Sequence, residues 1–416
     1  MQFSCAFFLS ARLDDPPWRL GDVGALAHRL LGAGVVLPAP PRLKIRLPAS
    51  SSYTLIGSII GVGVANALLH GRDGTSGVDW AQATKVGYSL LLSPLVGFCC
   101  AALLLLALRA IVKSRELYEE PRGERPPLWW IRGLLVLTCT GVSFAHGSND
   151  GQKGMGLIML ILVGTVPTAY ALNRAMPVTR TAEFVALAQA TEHSLQAAGG
   201  GVAVASAREA LSAFVRTRQA SPEVVAALAA VAGQIGEQVH ADGSLRRLPA
   251  AAVANVRNDM YLASEAIRFI DKSGTVLDAG TRRTLAEFKK SLDEATRFIP
   301  TWVKVAVAVA LGLGTMVGWK RIVVTVGEKI GKEHLTYAQG ACAELVAMAT
   351  ISAADNFGLP VSTTHVLSSG VAGTMAANRS GLQVSTIRNI AAAWVFTLPM
   401  AALLSASLFW LFRQLA

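Results

Sequence analysis

Charge is what this sequence has least of. Only 16% of its 416 residues are Asp, Glu, Lys or Arg, where an ordinary soluble domain carries about 25%. The scarcity is uneven: 87–108 holds no charge and 388–411 almost none. A run of roughly 20 apolar residues is long enough to cross a bilayer as a helix. With 52% hydrophobic residues and a mean hydropathy of +0.44, the composition excludes an ordinary soluble domain and predicts an all-α polytopic membrane protein. Cysteine is sparse as well. Cys5, Cys99, Cys100, Cys139 and Cys342 show no framework spacing, and four of them lie in apolar runs, where Cys behaves as a small hydrophobe. The net charge of +11 comes without zinc-finger spacing, an RNP pattern or a basic aromatic stripe, which argues against nucleic acid as a partner. Excess Lys and Arg in a multispanning chain instead mark cytoplasmic loops. Met1–Ser10 carries no charge, so the basic start of a secretory signal is missing.

The organisation follows from where charge returns. Residues 1–47 hold RLDDPPWRLGD and PAPPRLKIR and no span of adequate length; this atypical segment reads as a truncated or frame-shifted start. A first membrane half is expected over 48–172. It opens with an apolar, Gly- and Ser-rich stretch and continues in a span at 85–108, closed by Arg109, Lys113 and Arg115. In 128–172 two apolar stretches flank the polar island HGSNDGQK, with Trp129 and Trp130 placed as an interfacial belt. Two passes here would put the basic 109–127 loop and the following insert on one side, the cytoplasmic one. Residues 173–299 mix charge with Ala and Leu at helical spacing and read as a soluble helical insert. Ser221 there precedes Pro222 as an N-cap precedes Pro at the first helical position. A second membrane half is expected over 300–416.

The chain also repeats itself. Pro48-Ala-Ser-Ser-Ser-Tyr-Thr-Leu55 matches Pro360-Val-Ser-Thr-Thr-His-Val-Leu367: Pro, a small or branched residue, three hydroxyls, a ring, then x-Leu. The same offset aligns Gly61 with Gly373 and Tyr53 with His365. Helix packing explains scattered small residues in a membrane, but less well three hydroxyls after a Pro, twice. Paired, interrupted hydrophobic segments point instead to a transporter binding site.

Two polar islands carry the chemistry. In GVSFAHGSNDGQKGMG, His146, Asn149, Asp150, Gln152 and Lys153 stand at membrane depth, where ionisable groups are costly and face a cavity or a partner. Gly141, Gly147, Gly151, Gly154 and Gly156 predict a break in the helix there. Asn149 and Asp150 offer hard oxygens for a cation, or Asp150 takes a proton; Gln152 and Lys153 offer donors to an anion. In the second island Asp355 and Asn356 repeat the acid–amide pair in reverse order, and Pro360 leads into Ser362, Thr363 and Thr364. A helix starting there would hold a tetrahedral oxyanion on its free N–H groups. Glu344 is a further intramembrane acid, either coupling or simply paired. A rival reading uses His146, Asp150, His365 and Asp355 as ligands of a membrane-embedded metal hydrolase.

With these residues in view, FAHGSNDGQKGMG at 144–156, LPVSTTHVLSSGVAG at 359–373 and LPASSSYTLIGSIIGVGVANAL at 47–68 resemble the inorganic phosphate transporter (PiT) family, particularly its bacterial low-affinity members. The resemblance covers about 47–172 and 300–416. It implies a non-enzymatic inner-membrane importer built on inverted repeats with re-entrant hairpins. It further implies symport of phosphate, in many bacterial members as a metal–phosphate complex, with H⁺ or Na⁺ and no other cofactor. The implied substrate residues are Gln152, Ser362, Thr363 and Thr364, with Ser50, Ser51 and Ser52; the implied cation residues are Asn149, Asp150, Asp355 and Asn356. Sulfate is an equally tetrahedral alternative, and a homodimer is among the assemblies left open. The family's Asp-containing first-span motif has no counterpart in 1–47.

Overall fold

A computed structural model describes residues 50–71, 73, 78, 80–120, 127–199, 204, 206–219, 221–270, 277–316, 326–327 and 329–415. The atypical start at 1–47 lies outside the described residues. The described chain is helical: α1 Ser51–Leu69, α2 Trp80–Ile111, α3 Arg115–Tyr118, α4 Trp129–Thr165, α5 Pro167–Tyr170, α6 Val178–Gly199, α7 Ala207–Thr217, α8 Pro222–Ala241, α9 Ala250–Ile270, α10 Ala279–Thr296, α11 Thr301–Met316, α12 Tyr337–Phe357, α13 Thr363–Asn378 and α14 Val384–Leu415. Its only β-type pairing among described residues is an isolated bridge between Gly331 and Leu382. The described residues form two compact units, one built from 50–157 and from 301 onward, the other from 158–300.

In the first unit the long helices are paired across the sequence. α1 packs along α14, and α13 packs along α2. Each contact is made close by glycine. A Cβ at Gly61 would collide with the Ala402 carbonyl, and one at Gly373 with the Phe98 carbonyl. The residues aligned by the sequence repeat therefore play one packing role, each against the other half's long helix. Small residues that let backbones approach closely drive helix association where lipid is as apolar as leucine.

α2 and α14 are each 32 residues long with one internal proline, Pro94 and Pro399. Proline removes the bond to the carbonyl four residues back, and in a membrane that carbonyl needs another donor. For Pro94 it is Leu90 O, which accepts from Tyr53 Oη at 3.2 Å and from Ser93 Oγ at 3.3 Å. Outward, Leu91, Leu92, Leu95 and Leu103 on α2 and Val395, Phe396, Met400 and Leu403 on α14 are exposed. Helices α1, α2 and α14 are long and apolar enough to cross a membrane by length and composition.

The expected break at HGSNDGQK does not occur. α4 is one continuous helix of 37 residues, about 55 Å long at 1.5 Å per residue. Three of its glycines serve packing instead of unwinding, while a Cβ at Gly147 would meet nothing within 4 Å. Gly141 lies against Met348, Gly151 against Leu311, and Gly154 against Val307. α4 and α12 run side by side in the same direction. Thr138 donates to Glu344, Asn149 donates to Asp355, and both pairs have a sequence separation of 206.

The second unit has its own core, centred on Phe184, Leu195, Phe214, Val231, Met260 and Phe288. Buried Glu265 accepts from Arg297 and Arg268, both at 2.8 Å, and Asp293 accepts from Ser264 at 2.7 Å and Lys289 at 2.6 Å. Asp259 pairs with Arg208 at 2.6 Å. α8 starts at Pro222 with Ser221 in the N-cap position, but the Ser221 side chain makes no capping bond.

Asp278 does cap α10, accepting from Thr281 N at 3.0 Å. Hydrogen bonds from the Thr281 hydroxyl and amide hold its carboxyl below its ordinary 3.8. The unfolded chain therefore binds the extra proton, so this capping contribution is present above pH 3.8 and is lost as pH falls through the lowered value. Hydrogen exchange in the first turn of α10, corrected for intrinsic rates, is expected to accelerate on acidification through that window. Asp278→Asn, which still accepts but does not titrate, is expected to flatten the response.

Candidate functional site

Two helix starts meet in the first unit. Ser50 is extended and caps α1, its Oγ accepting from Tyr53 N; Ser362 is extended and caps α13, its Oγ accepting from His365 N. Ser, three positions ahead of an amide, is the residue type that satisfies an otherwise orphaned N–H. The two caps touch: Ser50 Oγ donates to Ser362 Oγ at 2.8 Å across the repeat separation of 312. One turn on, the Tyr53 and His365 rings lie 4.7 Å apart. Positions equivalent in sequence are thus opposite each other in space. Both helices bring their positive ends to this point, an arrangement suited to an anion.

Ahead of α13 the backbone is irregular. Gly358 closes α12 in the left-handed conformation at φ 65°, and 359–362 run without helix to the Ser362 cap. The carbonyls freed here are collected by hydroxyls. Ser89 Oγ donates to Pro360 O at 2.8 Å, and buried Ser52 Oγ donates to Val361 O at 2.9 Å.

The middle of α4 supplies the charges. Asp150 accepts from Lys153 Nζ at 2.9 Å on one oxygen and faces His146 Nε2 at 3.1 Å on the other. His146 Nε2 also lies 3.2 Å from Thr363 Oγ1. Lys153 reaches Ser52 Oγ at 2.8 Å and Val361 O at 3.4 Å. One hydrogen-bonded chain therefore runs Thr363, His146, Asp150, Lys153, Ser52 and Val361, tying α4 to both helix starts. Asn149 is buried, donates to Asp355, and leaves its Oδ1 without a partner.

The sequence-expected residues divide accordingly. Ser50, Ser52, Asp150, Ser362 and Thr363 converge, while Asn149 and Asp355 form an adjoining pair. Ser51 is exposed, and Thr364 is half-buried with its carbonyl taken by Ser368 Oγ at 2.7 Å. Asn356 is exposed at the end of α12. Gln152 is half-buried on α4 but two residues past Asp150, and so on a different face. His146 and Lys153 join the cluster more directly than their sequence reading as a polar island suggested; their spacing from Asp150, i−4 and i+3, was the available signal. His365 is fully buried and stacked on Trp394 with ring centroids 4.2 Å apart. Among the described residues no three of His, Cys, Asp and Glu converge to hold a metal.

A polytopic helical protein with two capped helix starts facing an internal charge cluster has the makings of a membrane carrier of anions. The model of the phosphate transporter family matches residues 26–405, and the chain belongs to that family. The match extends through the helical insert and starts before residue 47, wider than the sequence motifs alone delimit. The low-affinity inorganic phosphate transporter PitA of Escherichia coli K12 is 39% identical over 386 residues, covering 88% of this chain and 77% of PitA. PitB of the same organism is 37% identical, covering 89% of this chain and 77% of PitB. The low-affinity inorganic phosphate transporter of Buchnera aphidicola from Acyrthosiphon pisum is 36% identical, covering 88% and 76%. A solved sodium-dependent phosphate transporter aligns with a TM-score of 0.46 at 18% identity, over 97% of this chain and 82% of its own. The family and these relatives are transporters, not enzymes.

Proposed function

We propose that this chain imports inorganic phosphate across a bacterial inner membrane by symport with H⁺ or Na⁺. The observation that carries the reading is the Ser50–Ser362 contact, which brings two capped helix N-termini to one point. Backbone N–H groups and hydroxyls there grip a tetrahedral anion without a fixed counter-charge, so that it is released again. Thr363 adds a hydroxyl at the same place, and Ser52 holds the Val361 carbonyl beside it. The Asn149–Asp355 pair supplies hard oxygens for a coupling cation, with the unpartnered Asn149 Oδ1 supporting that role, and Asp150 beside His146 is placed to take a coupling proton. Partly irregular backbone at membrane depth, as at 359–362, is tolerated where it lines such a site.

Purified protein in proteoliposomes is expected to accumulate radiolabelled phosphate when an inward proton or sodium gradient is imposed. Uptake of phosphate and arsenate with little sulfate supports the assignment; sulfate preference, or no gradient-driven uptake of any of the three, overturns it. Repeating the assay with divalent metals chelated separates free phosphate from a metal–phosphate complex. Thr363→Ala removes one hydroxyl and the contact with His146 but leaves the Ser362 cap. It is expected to raise the apparent KM for phosphate about tenfold, near 1.4 kcal/mol, with maximal velocity within about threefold. An unchanged KM would take Thr363 out of the substrate contacts.

A further inference from the structure

We infer that the ammonium of Lys153 occupies an oxygen cage of the kind that a monovalent metal cation fills, and that it stands in for such an ion at this position. The inference rests on the transport reading above. Among the described residues Lys153 Nζ is held by three oxygens: Asp150 Oδ1 at 2.9 Å, Ser52 Oγ at 2.8 Å and Val361 O at 3.4 Å. They are a carboxylate, a hydroxyl and a carbonyl, the three hard oxygen types that bind Na⁺ or Mg²⁺. They come from three separate elements: α4, the first turn of α1, and the irregular backbone before α13.

The orientation of Ser52 supports the comparison. Its proton is committed to Val361 O at 2.9 Å, so it can meet Lys153 only with a lone pair, as it would meet a metal ion. The carbonyl of Val361 is released from helical bonding because the chain is unwound there, and unwound carbonyls beside broken helices are where transporters hold coupling cations. An ammonium has three donors and no acceptor, so the three oxygens use all of its capacity. The side chain is about four-fifths shielded, at 19% exposure. Its contact with Asp150 at 2.9 Å places a tethered counter-charge there, so no metal ion is needed to balance the carboxylate before the anion arrives.

A tethered cation does not exchange with either side of the membrane. The cage around Lys153 therefore cannot be a sodium-coupling site in this chain, and the coupling step falls to a proton or to a different set of oxygens. Shortening the side chain should convert the cage. Lys153→Asn withdraws the ammonium, opens the space it occupied and adds an amide oxygen. Lys153→Met fills the same space with no charge and no donor.

The test compares phosphate uptake by the wild-type protein and both variants in proteoliposomes under a proton gradient alone and with an added sodium gradient. It is paired with melting temperature in detergent against NaCl and choline chloride. Wild-type uptake and melting are expected to be indifferent to Na⁺. Lys153→Asn is expected to gain a melting shift of several degrees with NaCl over choline, with an uptake rate raised at least threefold by Na⁺. Lys153→Met is expected to show neither. A Lys153→Asn protein that melts cooperatively yet ignores Na⁺ overturns the inference, as does wild-type uptake stimulated by Na⁺. If Lys153→Asn does not fold, the wild-type and Lys153→Met responses decide: a sodium shift in either is contrary to the cage being filled, and its absence in both upholds it. Wild-type protein that moves no phosphate under any gradient counts instead against the transport reading itself.

Discussion

Asp150→Asn is expected to abolish gradient-driven phosphate uptake, with a loss of more than a hundredfold in initial rate. The carboxylate holds two partners at once, Lys153 at 2.9 Å and His146 at 3.1 Å, and through them reaches Ser52 and Thr363 at the two helix starts. An amide at this position keeps the shape but removes the charge, leaving Lys153 largely shielded and uncompensated. Breaking one partner of a buried ion pair costs about 3–5 kcal/mol, and two decades of rate need only about 2.7 kcal/mol. Either Lys153 turns away and the Ser52–Val361 side of the site loosens, or it stays and holds the phosphate too tightly for release. Both routes stop turnover. Asp150→Glu, which restores the charge one methylene out of place, is expected to recover only a small fraction of the rate. Uptake by Asp150→Asn near the wild-type rate would remove this carboxylate from the mechanism.

The second large effect is structural. Gly61→Val and Gly373→Val are each expected to lower stability by about 2–3 kcal/mol, as overpacking against an unyielding neighbour does. At each position the added Cβ meets a backbone carbonyl, Ala402 on α14 or Phe98 on α2, and a backbone cannot swing aside as a side chain does. The helices must part along their length, which also separates the N-termini that meet at Ser50 and Ser362. Gly312→Val, where a Cβ would meet nothing within 4 Å, serves as the control and is expected to be neutral. Thermal scans of the purified proteins in detergent read the comparison. Equal melting of Gly373→Val and Gly312→Val would show that the α13–α2 contact adjusts more freely than this geometry allows.

The two glycines also show how much was legible in advance. The repeat at an offset of 312 singled out both, together with the hydroxyl runs and the Tyr53–His365 match, because a repeated local pattern needs no knowledge of the fold. Membrane character was equally legible, since apolar runs and scarce charge express the solvent directly. The first turn of α13 followed from Pro360 and its hydroxyls by capping chemistry alone. The glycine-rich stretch of α4 did not. Glycine weakens a helix and also permits close packing, and the choice between them depends on neighbours such as Val307, Leu311 and Met348, which are distant in sequence.

By itself, then, the sequence determined the helical membrane class, the two islands and the paired hydroxyl segments, because composition, periodicity and capping act over a few residues. The tertiary structure alone decided that α4 is unbroken, that the two serine caps touch, and that Lys153 faces Asp150, Ser52 and Val361 O rather than standing open to an anion. Those outcomes depend on which groups from remote elements lie within about 3 Å of one another. In a low-dielectric interior a charge takes whatever partners the packing brings to it.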